Sequence, residues 1–219
     1  MNPIINRYII QIMEYHIFEK TLLSKIGDNN FEAQKNMAPF TVKDRNQMLG
    51  ANPNPRLSAV MILVFNKEDK AHFSLIERPK YDGVHSGQIA LPGGSKDDED
   101  YDLEQTALRE LEEEIGVNPL EVNVIGKISE VYIPPSKFLV TPYVALLNNY
   151  PNYVKDDFEV EQIIDVPISL LFDDSIVKNG NVNVGANNLK MKVPYFDIYG
   201  HMVWGATAII LNEFKAIMK

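Results

Sequence analysis

The segment from Ser58 to Phe65 is an unbroken run of small, β-branched and apolar residues. It stands between a loop rich in proline and asparagine, Ala51 to Pro55, and a polar turn, Asn66 to Lys70. A run of that length bounded by turn residues predicts a strand, and its lack of polar alternation predicts a buried one. Such a strand gives no face to water, so the rest of the chain must supply its neighbours and its cover. Ala71 to Glu77 alternates well enough to be a partner strand. Val122 to Val131, Phe138 to Leu147 and Val160 to Pro167 read as further strands, and Val182 to Val193 as a hairpin or irregular pair. Helical spacing is found over Asn6 to Lys25, over Ile168 to Phe172 and over Trp204 to Met218. The first 37 residues read as an N-terminal helical extension, and residues 38–219 as the main domain. The N-terminal helix can pack on its own domain or form a homodimer seam, and the sequence leaves both open.

The chain has 219 residues and no cysteine, which excludes disulfides, thiolate catalysis and Cys-ligated metal sites. Its longest apolar run, Ala59 to Phe65, is too short to cross a bilayer, and Arg7, Glu14 and His16 break the N-terminus. A cytoplasmic protein without a membrane partner is expected. With 21 basic and 30 acidic residues the formal charge is −9, which argues against a nucleic-acid partner. That excess is local. Ten carboxylates lie between Asp97 and Glu114, opposed there only by Arg109, while the remaining 20 basic and 20 acidic residues cancel.

A carboxylate run is usually a solvated face. Here it has structure. Leu103, Ala107, Leu108, Leu111 and Ile115 share one arc of a helix, with Asp102 as N-cap, Gln105 at the capping-box position and Gly116 as the C-terminal stop. Glu110, Glu113 and Glu114 then stand on a neighbouring stripe, where like charges repel. A hard divalent cation with oxygen ligands would offset that repulsion: Mg²⁺ or Mn²⁺ rather than zinc, which prefers His or Cys. Arg109 is placed to pair with Glu113. Just upstream, Leu91-Pro92-Gly93-Gly94 lets backbone approach a metal or an anion closely.

The stretch Arg109-Glu110-Leu111-Glu112-Glu113-Glu114-Ile115-Gly116-Val117 resembles the second half of the Nudix box, R-E-U-x-E-E-x-G-U with U apolar. The first half differs. Counting back from Arg109, the usual glycine and glutamate positions hold Ser95 and Tyr101, as though the loop were one residue longer. That longer loop, with Arg78, His85, Gly87-Gln88 and Pro92-Gly93-Gly94, is similar to the coenzyme A pyrophosphatase branch of the family. Gly83 stands where that branch has an arginine, Pro79 where it has Ser or Ala, and Leu91 where it has Phe. Weaker likenesses at Val140-Thr141-Pro142, Val166-Pro167 and Gly205-Ala206-Thr207-Ala208 extend the resemblance over about residues 38–215.

The resemblance implies a Nudix-type α/β/α sandwich with a mixed β-sheet. It implies a metal-dependent hydrolase of the pyrophosphate bond in nucleoside diphosphate derivatives, most concretely coenzyme A or its thioesters. Such an enzyme takes Mg²⁺ or Mn²⁺ and a small-molecule nucleotide substrate. The alternatives are an ADP-ribose or dinucleotide pyrophosphatase and, in another class, a ligand-sensing Nudix-like domain without turnover. The implied ligands are Glu110, Glu113 and Glu114 with a carbonyl of Gly94 or Gly93, and Arg109 orients Glu113. Glu159 is the candidate general base, with Asp156, Asp157 and Glu161 as rivals. Arg78, His85 and Gly93 are the candidate substrate contacts, the alternative for Arg78 being an ion pair at a strand end.

Overall fold

A computed structural model describes residues 14–28, 30–38, 47–52, 54–80, 87–184 and 189–219. The apolar run becomes β1, Arg56–Lys67, and lies inside an eight-stranded mixed sheet. Its C-terminal end pairs antiparallel with β2, Lys70–Glu77, through the polar turn, as the alternation predicts. On the same edge its N-terminal part takes the three-residue β4, Gly93–Ser95. Its other edge runs parallel to β7, Phe138–Leu147, from the pair Arg56 and Phe138 to the pair Phe65 and Leu147. β2 also pairs with the short β3, Ile89–Ala90, and with β8, Gln162–Pro167. β5, Asn123–Lys127, and β6, Val131–Ile133, both pair with β7. One strand expected over Val122 to Val131 is therefore two. Its register shifts between Val124 and Gly126, and Ser129 is turned aside to donate its hydroxyl to Glu213 at 2.6 Å.

β1 is buried on both faces, and its side chains divide between two cores. Ala59, Met61, Leu63 and Phe65 join Ala107, Leu111 and Ile115 of α1, the helix Leu103–Ile115. Ile62 and Val64 join a second core with Phe18 and Leu22 of the N-terminal helix Tyr15–Lys25 and Ile210 and Phe214 of the C-terminal helix Gly205–Met218. A two-residue period along one strand thus produces helix, sheet, helix: the expected α/β/α sandwich. The hairpin expected near Val182 to Val193 is longer than that, formed by β9, Val177–Val184, and β10, Leu189–Ile198, with β11, His201–Val203, completing a second, three-stranded sheet.

The helix expected from Asn6 begins at Tyr15, because Glu14 is still extended and bridges to Lys70; residues 1–13 lie outside the described residues. This segment packs into the domain rather than standing off it. The Tyr15 hydroxyl donates to the Leu147 carbonyl at 3.1 Å, and Gln34 Nε2 donates to the buried Glu213 carboxylate at 2.7 Å. No helix among the described residues is long and apolar enough to cross a membrane.

Candidate active site

α1 is built as its sequence predicts. The Asp102 carboxylate accepts from the Gln105 amide at 2.9 Å, while the Gln105 side chain reaches back to the Tyr101 amide at 2.7 Å. Gly116 closes the helix at φ +72°, where a β-carbon would be strained. The apolar arc of α1 docks on the sheet, which fixes the rotation of its acidic stripe. Glu110 and Glu114, one turn apart, point under the Gly93-Gly94 loop of β4.

Two glycines make that approach possible. Gly93 sits at φ +147° against β1, and its amide donates to Glu114 Oε2 at 2.8 Å. A β-carbon on Gly94 would lie 2.3 Å from Glu110 Oε1, so the carboxylate occupies the space that a side chain would fill. Glu114 is almost fully buried, and burial pushes its carboxyl up to about 8 despite Arg78 and the Gly93 amide. Burial raises Glu110 as well, with Arg109 opposing. In both, burial disfavours the charged form and the neighbouring guanidinium favours it.

The third member comes from the turn before β8. Carboxylate oxygens of Glu110, Glu114 and Glu159 all lie within 4.8 Å of one another. Oxygens bonded to one cation can be no further apart than twice the bond length, about 4.2 Å for Mg²⁺ and about 5 Å for Ca²⁺, so the three lie at the spacing of a shared ion once the side chains close on a smaller one. The donors are all oxygen, which fits Mg²⁺, Mn²⁺ or Ca²⁺ better than zinc. Asp156, one of the rivals to Glu159, faces the backbone: its Oδ1 accepts the Phe158 and Glu159 amides at 2.6 and 3.2 Å.

Arg109 is the hub beside this group. Its Nη1 pairs with Glu113 at 2.6 Å and Glu110 at 3.0 Å, and its Nη2 donates to the Ser95 carbonyl at 3.1 Å. Its Nε and Nη2 also hold both oxygens of Asp100 at 3.0 Å. The guanidinium keeps this buried carboxyl well below the usual carboxylate range, helped by the Asp97 amide and the Thr106 hydroxyl. Asp100 escapes a fixed-spacing count, which lands one residue later on Tyr101, a side chain left almost wholly exposed. The signal was available: a loop longer by one residue shifts the arginine's acidic partner by one as well.

Three expected roles look different in place. Glu113 stands apart from the ligand group, because its exposed carboxylate is taken by Arg109 as a partner one turn away. Gly93 is buried, with its amide donating to Glu114 at 2.8 Å and its carbonyl accepting from Arg78 Nη2 at 3.2 Å, so the amide is already committed. Arg78 forms the ion-pair alternative, with Nη2 at 3.4 Å from Glu114 Oε1. His85 lies outside the described residues.

The NUDIX domain family model matches residues 55–163. The protein named "Uncharacterized Nudix hydrolase NudL" from Photorhabdus laumondii is 30% identical over 185 residues, spanning 84% of this chain and 92% of its own. "Nudix hydrolase 15, mitochondrial" from Arabidopsis thaliana is 31% identical over 81% of this chain, and the match spans 62% of the plant protein's length. A solved MutT/nudix family structure from Enterococcus faecalis is 16% identical, covering 85% of this chain and 73% of that one with a TM-score of 0.48. With a relative matched along nearly its whole length, and the arginine-glutamate helix folded beneath its glycine loop, this chain belongs to the Nudix hydrolase family.

Proposed function

We propose that this Nudix pyrophosphohydrolase acts on coenzyme A or its thioesters, releasing 4′-phosphopantetheine and adenosine 3′,5′-bisphosphate. The carrying observation is the grouping of Glu110, Glu114 and Glu159 beside a Pro92-Gly93-Gly94 loop of the longer form. Arg78, Gly87-Gln88 and that loop, in the order of the coenzyme A pyrophosphatase signature, support the narrower substrate.

Hydrolases of this family use divalent cations, and Glu110, Glu114 and Glu159 are the residues that would hold one here. Bound there, Mg²⁺ or Mn²⁺ would neutralise the pyrophosphate and make a water more acidic. The protein's own parts have separate tasks. Glu114, buried, and Glu110, half-buried, are acceptors held at fixed spacing by the helix. Glu159, the exposed member, gives one carboxylate oxygen to the group and keeps the other for the proton of the attacking water. Arg109 fixes Glu110 from the side and ties the helix to the Ser95 carbonyl. Arg78 balances part of the charge on Glu114 and stands half-buried where a phosphate oxygen can replace one of its partners.

A second reading, ADP-ribose or a dinucleotide as substrate, is favoured by Gly83, which removes the arginine expected there and with it a cation for the 3′-phosphate. Turnover of coenzyme A, 3′-dephospho-coenzyme A, ADP-ribose and NADH, each with Mg²⁺ or Mn²⁺, separates the two. The highest kcat/KM is expected for coenzyme A; a wide preference for ADP-ribose transfers the assignment to the second reading.

A further inference from the structure

We propose that Asp156 is a positioning residue that holds Glu159 against Glu110 and Glu114. The inference rests on the role given to Glu159 above and deepens it.

Glu159 lies on an exposed turn, so its carboxylate is placed by the backbone that carries it. That backbone is fastened at several points. Tyr153 donates its hydroxyl to Asp165 at 3.0 Å, the Val154 amide donates to the Ile115 carbonyl at 3.0 Å, and the Glu161 amide donates to the Glu77 carbonyl at 2.8 Å. Between those fastenings the Lys155 ammonium donates to the Val160 carbonyl at 2.8 Å, and Asp156 organises the peptides next to Glu159. Its carboxylate caps the Phe158 and Glu159 amides, and its carbonyl accepts the Val160 amide at 3.0 Å. Its own amide donates to the Glu114 carbonyl at 3.1 Å, one of the acceptors that the last helical turn leaves without a helical donor.

The result is a closed circuit. Glu114 gives its carbonyl to Asp156, Asp156 gives its carboxylate to the Glu159 amide, and the Glu159 carboxylate returns to that of Glu114. One aspartate thus registers the base-carrying turn against the same helix that carries the other two carboxylates. An alanine would release two amides to water and let the turn drift.

The test compares Asp156→Ala, Asp156→Glu, Asp156→Asn, Glu159→Gln and Asp156→Ala/Glu159→Gln in the whole 219-residue chain. It reads Mn²⁺ affinity of the metal-free protein from the spin-resonance signal of the free ion, kcat and KM on the best substrate of the panel, and the melting temperature without metal. Asp156→Ala is expected to weaken Mn²⁺ binding and kcat each by about tenfold to a hundredfold, with KM moved far less. Asp156→Glu keeps the charge but displaces the oxygen, and should lose as much; should Asp156→Ala fail to fold, this variant carries the test. Asp156→Asn keeps an acceptor at the capping position and should stay within about threefold. The double variant should be no worse than Glu159→Gln. Wild-type affinity and kcat in both Asp156→Ala and Asp156→Glu, with Glu159→Gln impaired, overturns the positioning role and leaves Glu159 standing. Losses that multiply in the double variant also overturn it, because Asp156 then acts by another route. An unimpaired Glu159→Gln removes the role of Glu159, and the positioning role falls with it.

Discussion

The two glycines of the loop, adjacent in sequence, fail in different ways when given a methyl group. On Gly93 a β-carbon would meet the Ala59 carbonyl oxygen at 2.3 Å and Val60 Cα at 2.6 Å, both backbone atoms that cannot turn aside. Gly93→Ala is therefore expected to lower unfolding free energy by more than about 2 kcal/mol, through strain and overpacking together. On Gly94 the obstacle is the end of the Glu110 side chain, which can rotate away. Gly94→Ala should keep its stability within about 1 kcal/mol yet lose about tenfold to a hundredfold in kcat, because one carboxylate has left its place. Denaturant titration and steady-state kinetics on the two variants check the contrast; equal loss of stability would contradict it. At this scale much was readable. Arg109 with Glu110, Glu113 and Glu114 marks a charged stripe on one helix, and Glu159 was singled out from Asp156, Asp157 and Glu161 through the family resemblance. The division of labour between Glu113 and Glu114 was not readable. Both lie on the same face by periodicity, and only the docked rotation of the helix buries one and leaves the other to Arg109.

Among the elements, α1 and the loop before it act as one unit because Asp100 and Arg109 join them. The Asp100 carboxyl has a depressed pKa in the folded protein, chiefly through its bonds with Arg109. A group of that kind stabilises the fold above its unfolded pKa of about 3.9, and this stabilisation is lost as the pH falls toward the folded value. The wild-type protein should therefore lose stability as pH drops below about 4. Asp100→Asn should be less stable at neutral pH by about 1–3 kcal/mol, with a shallower decline in acid. Chemical denaturation across that pH range measures both slopes, and parallel slopes would remove Asp100 from the account. The helix itself was legible to its ends, since Asp102, Gln105 and Gly116 each supply a specific backbone need. β3 and β4 were not. They are two and three residues long, and β4 carries two glycines, so neither has a period to detect. They become strands only because β1 and β2 offer them an edge.

Taken whole, the molecule is an electrically balanced body with a charge excess of −9 confined to residues 97–114. A divalent cation entering the Glu110, Glu114 and Glu159 group binds the folded state alone, since an unfolded chain cannot bring Glu159 to the other two. At a cation concentration a hundred times its Kd, the folded state should gain about 2.7 kcal/mol, seen as a rise in Tm that a chelator reverses. Glu114→Gln should flatten that rise, and a melt indifferent to Mg²⁺ and Mn²⁺ would count against the site. The strands and helices were legible from periodicity, and their assembly into a sandwich from the family resemblance, since a pattern of elements does not fix their order in the sheet. The place of the N-terminal helix was not, because amphipathicity gives a helix a side to bury without saying where. Tyr15, Phe18 and Leu22 bury it in the domain's own core. The parallel pairing of β1 with β7 carries a further consequence, for the time the chain takes to fold. Residues joined across that pair, such as Arg56 and Phe138, lie 82 positions apart. Contacts that distant are slow to form, because the entropy of closing the loop is lost before any contact repays it. A newly made chain therefore holds its long buried strand β1 without its parallel partner until residues 138–147 have emerged. Within that interval the ten carboxylates of residues 97–114 emerge as well, so the charged stretch is made before the strand has its parallel partner.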